Sequence, residues 1–172
     1  RLSFASAGNG TTRHLSQALL DLRAGVQTVH VPYRSGAQAV TDLLSGQVDA
    51  MYYLFLPLIQ HVQEGRLRVL GITAPRRTAS LPEVPTMVEL GLEGFVVEGW
   101  WALYLPAGAP REVVERLNAA VNAWLAQPEA QGTLSAQGVV AIGGTPEELA
   151  TRTAAEVAKW REVIRDARIE PG

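Results

Sequence analysis

Leu2-Ser3-Phe4-Ala5-Ser6-Ala7-Gly8-Asn9-Gly10-Thr11-Thr12-Arg13-His14-Leu15 begins as an alternating apolar–polar run and passes through two glycines among short polar residues. It then enters apolar positions at helical spacing: Leu15, Ala18, Leu19 and Leu22. This order predicts strand, glycine loop and helix. Gly25 ends the predicted helix, and residues 26–31 alternate as a second strand until Pro32 stops it. The unit then repeats. Ser35-Gly36 leads into Ala37, Val40, Leu43 and Leu44, Gly46 closes that helix, and residues 48–52 predict a third strand. A crossover over about 57–64 stops at Gly65, and residues 66–73 predict a further strand. Strands separated by short helices imply βαβ units, a mostly parallel sheet and an α/β fold.

Residues 74–94 break this rhythm with Pro75, Pro82, Pro85, Gly91 and Gly94, leaving room for one helical turn near Met87-Val88-Glu89-Leu90. Residues 95–105 form a long apolar run, expected to be a strand that leaves one sheet for another. Beyond Pro106 the period is helical. Val113, Val114, Leu117, Val121, Trp124 and Leu125 line one face behind Pro110, and residues 128–137 predict a shorter helix. Residues 139–142 predict a short strand. Thr145-Pro146-Glu147-Glu148 is a capping box opening a last helix whose apolar face is Leu149, Thr153, Val157, Trp160, Ile164 and Ala167. This part has too few strands for a sheet of its own, so Val113, Leu117, Trp160 and Ile164 are expected to be exposed.

The chain of 172 residues is 47% hydrophobic and 19% charged with a formal charge of −2, which provides a core and excludes a disordered chain. It also argues against a nucleic-acid partner, which normally meets a basic excess. There is no cysteine, so neither a disulfide nor a thiolate metal site is available, and no metal site or cofactor is expected. Lys159 is the only lysine and falls in a helical pattern, away from any phosphate loop. The dense apolar run at 50–59 is too short to cross a bilayer and contains Pro57. A start at Arg1 without a basic-then-apolar leader leads us to expect a processed chain or a fragment.

Chemistry concentrates at the predicted strand ends. The loop Ser6-Ala7-Gly8-Asn9-Gly10-Thr11-Thr12 would present backbone N–H groups and a helix N-terminus to an anion, with His14 orienting it. The plainer alternative is that the glycines only permit a tight turn. The third glycine of a dinucleotide fingerprint and the ending of a P-loop are both missing, so a carboxylate suits the loop better than a pyrophosphate. Tyr33 and Arg34 fall on the same rim as this loop, where a capping turn with a solvated Arg34 is an equal alternative. Tyr53, Leu54 and Phe55 would give an apolar wall, with core packing as the alternative reading. Asp49 lies within the third predicted strand, Thr73 ends the next, and Trp100 and Trp101 must face opposite ways, one of them toward a cleft. The candidate ligand-binding set is therefore Ser6, Ala7, Gly8, Asn9, Gly10, Thr11, Thr12, His14, Tyr33, Asp49, Tyr53, Thr73 and Trp100. No catalytic set is expected: His14, His30 and His61 share no metal spacing, and no Gly-x-Ser-x-Gly or His-Glu-x-x-His is present.

Five blocks carry a resemblance: Ala5-Ser6-Ala7-Gly8-Asn9-Gly10-Thr11-Thr12-Arg13-His14-Leu15, Val29-His30-Val31-Pro32-Tyr33-Arg34, Asp42-Leu43-Leu44-Ser45-Gly46-Gln47-Val48-Asp49, Gly65-Arg66-Leu67-Arg68-Val69-Leu70-Gly71-Ile72-Thr73 and Leu81-Pro82-Glu83-Val84-Pro85-Thr86. In this order the chain resembles the Bug (TctC-like) proteins, periplasmic solute-binding components of tripartite tricarboxylate transporters. The resemblance implies a periplasmic-binding-protein-like Venus flytrap of type II, holding a carboxylate between two lobes and working with membrane transporter subunits. On that template residues 1–100 are the complete second lobe. Residues 101–172 are a crossover strand and the C-terminal helical part of the first lobe, to be completed by a missing N-terminal segment or a second chain. Family members commonly carry Lys where Arg34 stands, and small or acidic polar residues where Tyr53 and Leu54 stand. Those departures favour an organic acid with an aromatic or apolar body. A non-catalytic binder is expected, the alternatives being the effector-sensing domain of a regulator or an α/β enzyme.

Overall fold

Three parallel strands in the order β2-β1-β3 organise the N-terminal half of the chain in the computed structural model, which describes residues 1–78 and 80–170. They are β1 (Ser3–Ser6), β2 (Val29–Pro32) and β3 (Ala50–Met51). Ser3 pairs with Val29 and Ser6 with Pro32, while Phe4 and Ala5 pair with Ala50 and Met51. All three strands therefore end at one rim, from which the following loops emerge. Each crossover carries a helix, α1 (Thr12–Ala24) and then α2 (Gly36–Leu44), as parallel neighbours require. Gly25 stops α1 in the left-handed conformation, φ 64°, and donates its N–H to the Asp21 carbonyl. After β3 a 3₁₀ turn, Leu56–Leu58, leads into α3 (Ile59–Gln63).

Alternation along β1 sends its side chains into two layers. Phe4 stacks on Tyr52, with ring centres 5.9 Å apart, and Tyr52 on Phe95 at 6.1 Å, beside a core of Ala18, Leu19, Met87, Val97 and Val163. Ala5 turns the other way and packs with Ala39 of α2 and Val48. Phe95 is 0% exposed and anchors the larger cluster.

The contacts divide the chain into Arg1–Gly99 with Trp160–Gly172, and Trp100–Lys159. The second unit holds α4 (Arg111–Leu125), α5 (Pro128–Ala136) and most of α6 (Pro146–Asp166). The sequence reading assigns all of 101–172 to one part. The division differs because Val163 joins the core of the first unit and Trp160, Ala167 and Ile169 pack against that core.

Three expected strands are absent among the described residues. Within 66–73 only Ile72 forms a bridge, parallel to Thr86, and Leu70 is exposed. Residues 95–105 form no ladder, and the Val97 N–H instead donates to the Thr73 carbonyl at 2.8 Å. Residues 139–142 are irregular, and Val140 is 80% exposed. In each case the apolar pattern is present but no continuous run of backbone partners is, and a strand needs both.

Within the second unit, Asn122 Nδ2 and Asn118 Nδ2 both donate to the Gly144 carbonyl at 2.9 Å, and the Gly144 N–H donates to Asn122 Oδ1. This fixes the turn before α6. The capping box then closes as its sequence predicts: Thr145 N–H donates to Glu148 Oε2 at 2.7 Å, and Glu148 N–H to Thr145 Oγ1 at 3.1 Å. Val113, Leu117, Val121 and Trp124 of α4 are exposed, as is Ile164, whereas Trp160 is partly covered by the core it packs on. The expected exposure thus holds at Val113, Leu117 and Ile164 and fails at Trp160.

Candidate functional site

The loop after β1 owes its shape to two glycines, Gly8 at φ 118° and Gly10 at φ 70°, where a side chain would be strained. Ser6 is buried at the strand end; its Oγ accepts the Gly8 N–H at 3.1 Å and lies 2.5 Å from His30 Nε2. Thr11 occupies the N-cap of α1, but its hydroxyl turns back to the Gly8 carbonyl at 2.8 Å and caps nothing. As a result the N–H groups of Thr12, Arg13 and His14 have no acceptor among the described residues. These are the groups on which a helix N-terminus binds an anion.

The other two rim loops come to the same place. Arg13 lies over the Tyr53 ring, its guanidinium carbon 4.4 Å from the ring centre. The Tyr53 hydroxyl occupies the space that a Cβ on Gly36 would take, at the first residue of α2. Leu54 follows, 60% exposed. One cation and one aromatic ring therefore stand together at the first turn of α1, and an exposed apolar residue follows the ring in the chain.

Behind the loop, the imidazoles of His14 and His30 are stacked, 3.7 Å between centres and 5° from parallel. His14 Nδ1 accepts the Gly10 N–H at 3.1 Å. Burial lowers the pKa of both rings. His30 falls to about 4, with burial the larger cause and the charge of His14 the second.

Not every predicted site residue joins this group. Ser6, Ala7, Gly8, Asn9, Gly10, Thr11, Thr12 and His14 form the loop and the first turn, and Tyr53 stands beside them. Tyr33 follows β2 on the rim, but its hydroxyl donates to Asp42 Oδ2 at 2.8 Å, which raises the phenol pKa. Asp49 sits at the opposite end of the sheet, where Ser3 N–H and Oγ hold its carboxylate and lower its pKa. Thr73 Oγ1 donates to the Val97 carbonyl at 2.7 Å. Trp100 belongs to the other unit, where Arg152 stacks over it, and Trp101 is 75% exposed. Arg13, Gly36 and His30 are the residues the candidate set omits. Strand period carries the signal for His30, because Phe4 pairs with His30 and Ser6 projects to the same face as Phe4. Among the described residues no group of three or more His, Asp or Glu could hold a metal ion. No described helix is long and apolar enough to cross a membrane.

Residues 1–169 match the family described as the tripartite tricarboxylate transporter family receptor. The chain belongs to that family. It is similar to the UPF0065 protein of the tcbD–tcbE intergenic region in a Pseudomonas species, 45% identical over 98% of this chain and 51% of that protein. It is also similar to the UPF0065 protein of the clcB–clcD intergenic region in Pseudomonas knackmussii, 35% identical over 92% of this chain and 94% of that one. The chain thus spans about half the length of the first relative and nearly all of the second. Among solved structures, an R. palustris protein with adipate superposes with TM-score 0.84 at 30% identity, covering 100% of this chain and 57% of that one. MatC from Rhodopseudomonas palustris with bound malate gives TM-score 0.75 at 33% identity, over 95% and 56%. The periplasmic binding protein BugD gives 0.79 at 33%, over 98% and 57%. The α/β architecture is therefore that of the Bug and TctC-type periplasmic binding proteins, of which this chain matches a little over half.

Proposed function

We propose that the first unit is the carboxylate-binding lobe of a periplasmic solute-binding protein that delivers an organic acid to the membrane subunits of a tripartite tricarboxylate-type transporter. The observation that carries this reading is the uncapped start of α1, where three N–H groups and the positive end of the helix dipole face a glycine loop. Adipate and malate, the acids in the two R. palustris structures, belong to the same chemical class. The protein captures its solute without converting it, and we assign no catalytic residue.

The binding set is Ser6 to Thr12 with His14, joined by Arg13 as a charge and Tyr53 as a wall. A helix terminus contributes only ~0.3–1 kcal/mol to an exposed anion, so affinity requires several N–H bonds together, and contacts from an opposing lobe add to what this loop supplies. Tyr53 and Leu54 favour an acid whose body is aromatic or apolar.

The test is thermal unfolding of the chain across a panel of carboxylates, including adipate, malate and benzoate. A ligand at a hundred times its Kd stabilises the folded state by about 2.7 kcal/mol, so binders raise Tm in a concentration-dependent way. A flat response across the whole panel overturns the reading.

A further inference from the structure

One donor that an anion would need in the glycine loop already serves an imidazole, and a second imidazole lies against the Ser6 hydroxyl, which donates to the Gly8 carbonyl at 3.2 Å. The Gly10 N–H donates to His14 Nδ1, and the Ser6 hydroxyl meets His30 Nε2. The two rings lie face to face, so both ends of the loop rest on one stacked pair, contributed by α1 and β2. We propose that His14 and His30 act together as positioning residues for the Ser6–Gly10 loop, and that a proton taken up by His14 releases the Gly10 N–H to a carboxylate. The proposal rests on the carboxylate reading above.

The chemistry follows from the bond direction. As an acceptor, His14 Nδ1 is unprotonated, and the neutral ring carries its hydrogen on Nε2. A proton from solvent on Nδ1 turns that acceptor into a donor facing another donor, so the bond to Gly10 breaks. A carboxylate oxygen has lone pairs for both N–H groups and restores two hydrogen bonds for the one lost. The stack accepts one such charge and resists a second, because two cationic rings 3.7 Å apart repel.

The surroundings leave the pair as the titrating element of the loop. The 380 Å³ cavity beside the rings is lined by Asp21 of α1, the only further titratable group in that lining, and Thr28 holds the Asp21 carboxylate. From β1 the neighbour is Ser6, and after α6 the lining residues are Ala167 and Ile169, which carry no charge. Arg13, next to His14 in the chain, lies over Tyr53.

Amide and imidazole resonances of the full chain, followed by NMR from about pH 8 to about pH 5, test the clamp directly. The Gly10 amide should move with the midpoint of the His14 ring. In His14→Gln, whose amide oxygen can accept the same N–H but does not titrate, that pH dependence should vanish while the fold persists. A Gly10 amide indifferent to the His14 titration overturns the proposal. Adipate, added as the probe, should raise the His14 midpoint and take up a proton, seen as a binding heat that depends on the ionisation enthalpy of the buffer. Its affinity should then rise by up to about tenfold per unit fall in pH. Adipate bound without proton uptake overturns this inference and leaves the carboxylate reading standing. No binding by any acid of the panel overturns both.

Discussion

The Asp49 carboxylate accepts the backbone N–H and the hydroxyl of Ser3, each at 2.7 Å, and so ties the entry of β3 to the start of β1. Asp49 N–H returns a bond to the Ser3 hydroxyl at 3.1 Å. The folded carboxyl is held below its ordinary pKa, first by the backbone N–H and then by the hydroxyl of Ser3. The folded state therefore binds its proton less readily than the unfolded state does. The stabilisation is present above the unfolded pKa and is lost as pH falls through the folded value. Asp49→Asn should unfold at a lower Tm than the parent chain at neutral pH, with the gap closing in acid. Carboxylate binding at the opposite rim should be unchanged.

His30 titrates at about 4 in the folded chain, below the 6.5 of a free imidazole. Between those values the unfolded state takes up a proton that the folded state refuses, so stability is full above pH 6.5 and declines as pH falls toward about 4. His30→Phe keeps a ring in the stack and removes the titration. Its Tm should therefore fall less steeply than that of the parent chain across that acid window.

Phe95 is wholly buried against Tyr52 and the Leu19 cluster. Phe95→Ala removes a full ring from a packed site and should cost about 3–5 kcal/mol in denaturant unfolding of the chain. A cost under about 1 kcal/mol would show that this cluster is not the core of its unit.

The start of α6 depends on a reciprocal pair of bonds between Thr145 and Glu148. Thr145→Ala leaves the Glu148 N–H without its acceptor and should lower stability by about 1 kcal/mol, whereas Thr145→Ser should retain most of it. Urea unfolding of the two variants separates these outcomes.

Tyr53 places an aromatic face beside the glycine loop, under Arg13. Tyr53→Asp should shift the preference of the chain from aromatic toward polar acids in a calorimetric panel. An unchanged order of affinities would remove Tyr53 from the specificity of the site.

Local chemistry was readable in the sequence wherever a few neighbouring residues decide it. The glycine loop, the stop at Gly25, the parallel β1–α1–β2–α2–β3 order and the capping box at Thr145 all follow from short patterns. A second box, in which Thr86 and Glu89 exchange the same two bonds, carries the same signature and opens the turn expected near Met87-Val88-Glu89-Leu90. What misled was apolar character without a partner. Residues 95–105 and 139–142 have the composition of strands, but hydrogen-bonded neighbours decide a strand, and neighbours are not written in the segment itself.

The site divides in the same way. The loop residues could be named from glycine spacing and helix start. Asp49 enters the candidate set as a residue of the third predicted strand, but the register of β3 against β1 carries it to the far end of the sheet. Arg13 and His30 stand outside that set for the converse reason: the contact of Arg13 with Tyr53 crosses elements, and strand period points to His30 only once β1 and β2 are paired in register.

Gly36 shows how far such dependence reaches. The phenol of Tyr53 fills the place a methyl group would occupy at the first residue of α2. A single added carbon there would force the ring out of its present place under Arg13. Changes at 36 and 53 should therefore be epistatic. The aromatic wall is encoded by two codons, one of which specifies no side chain, and a variant library that samples either position alone will misjudge both.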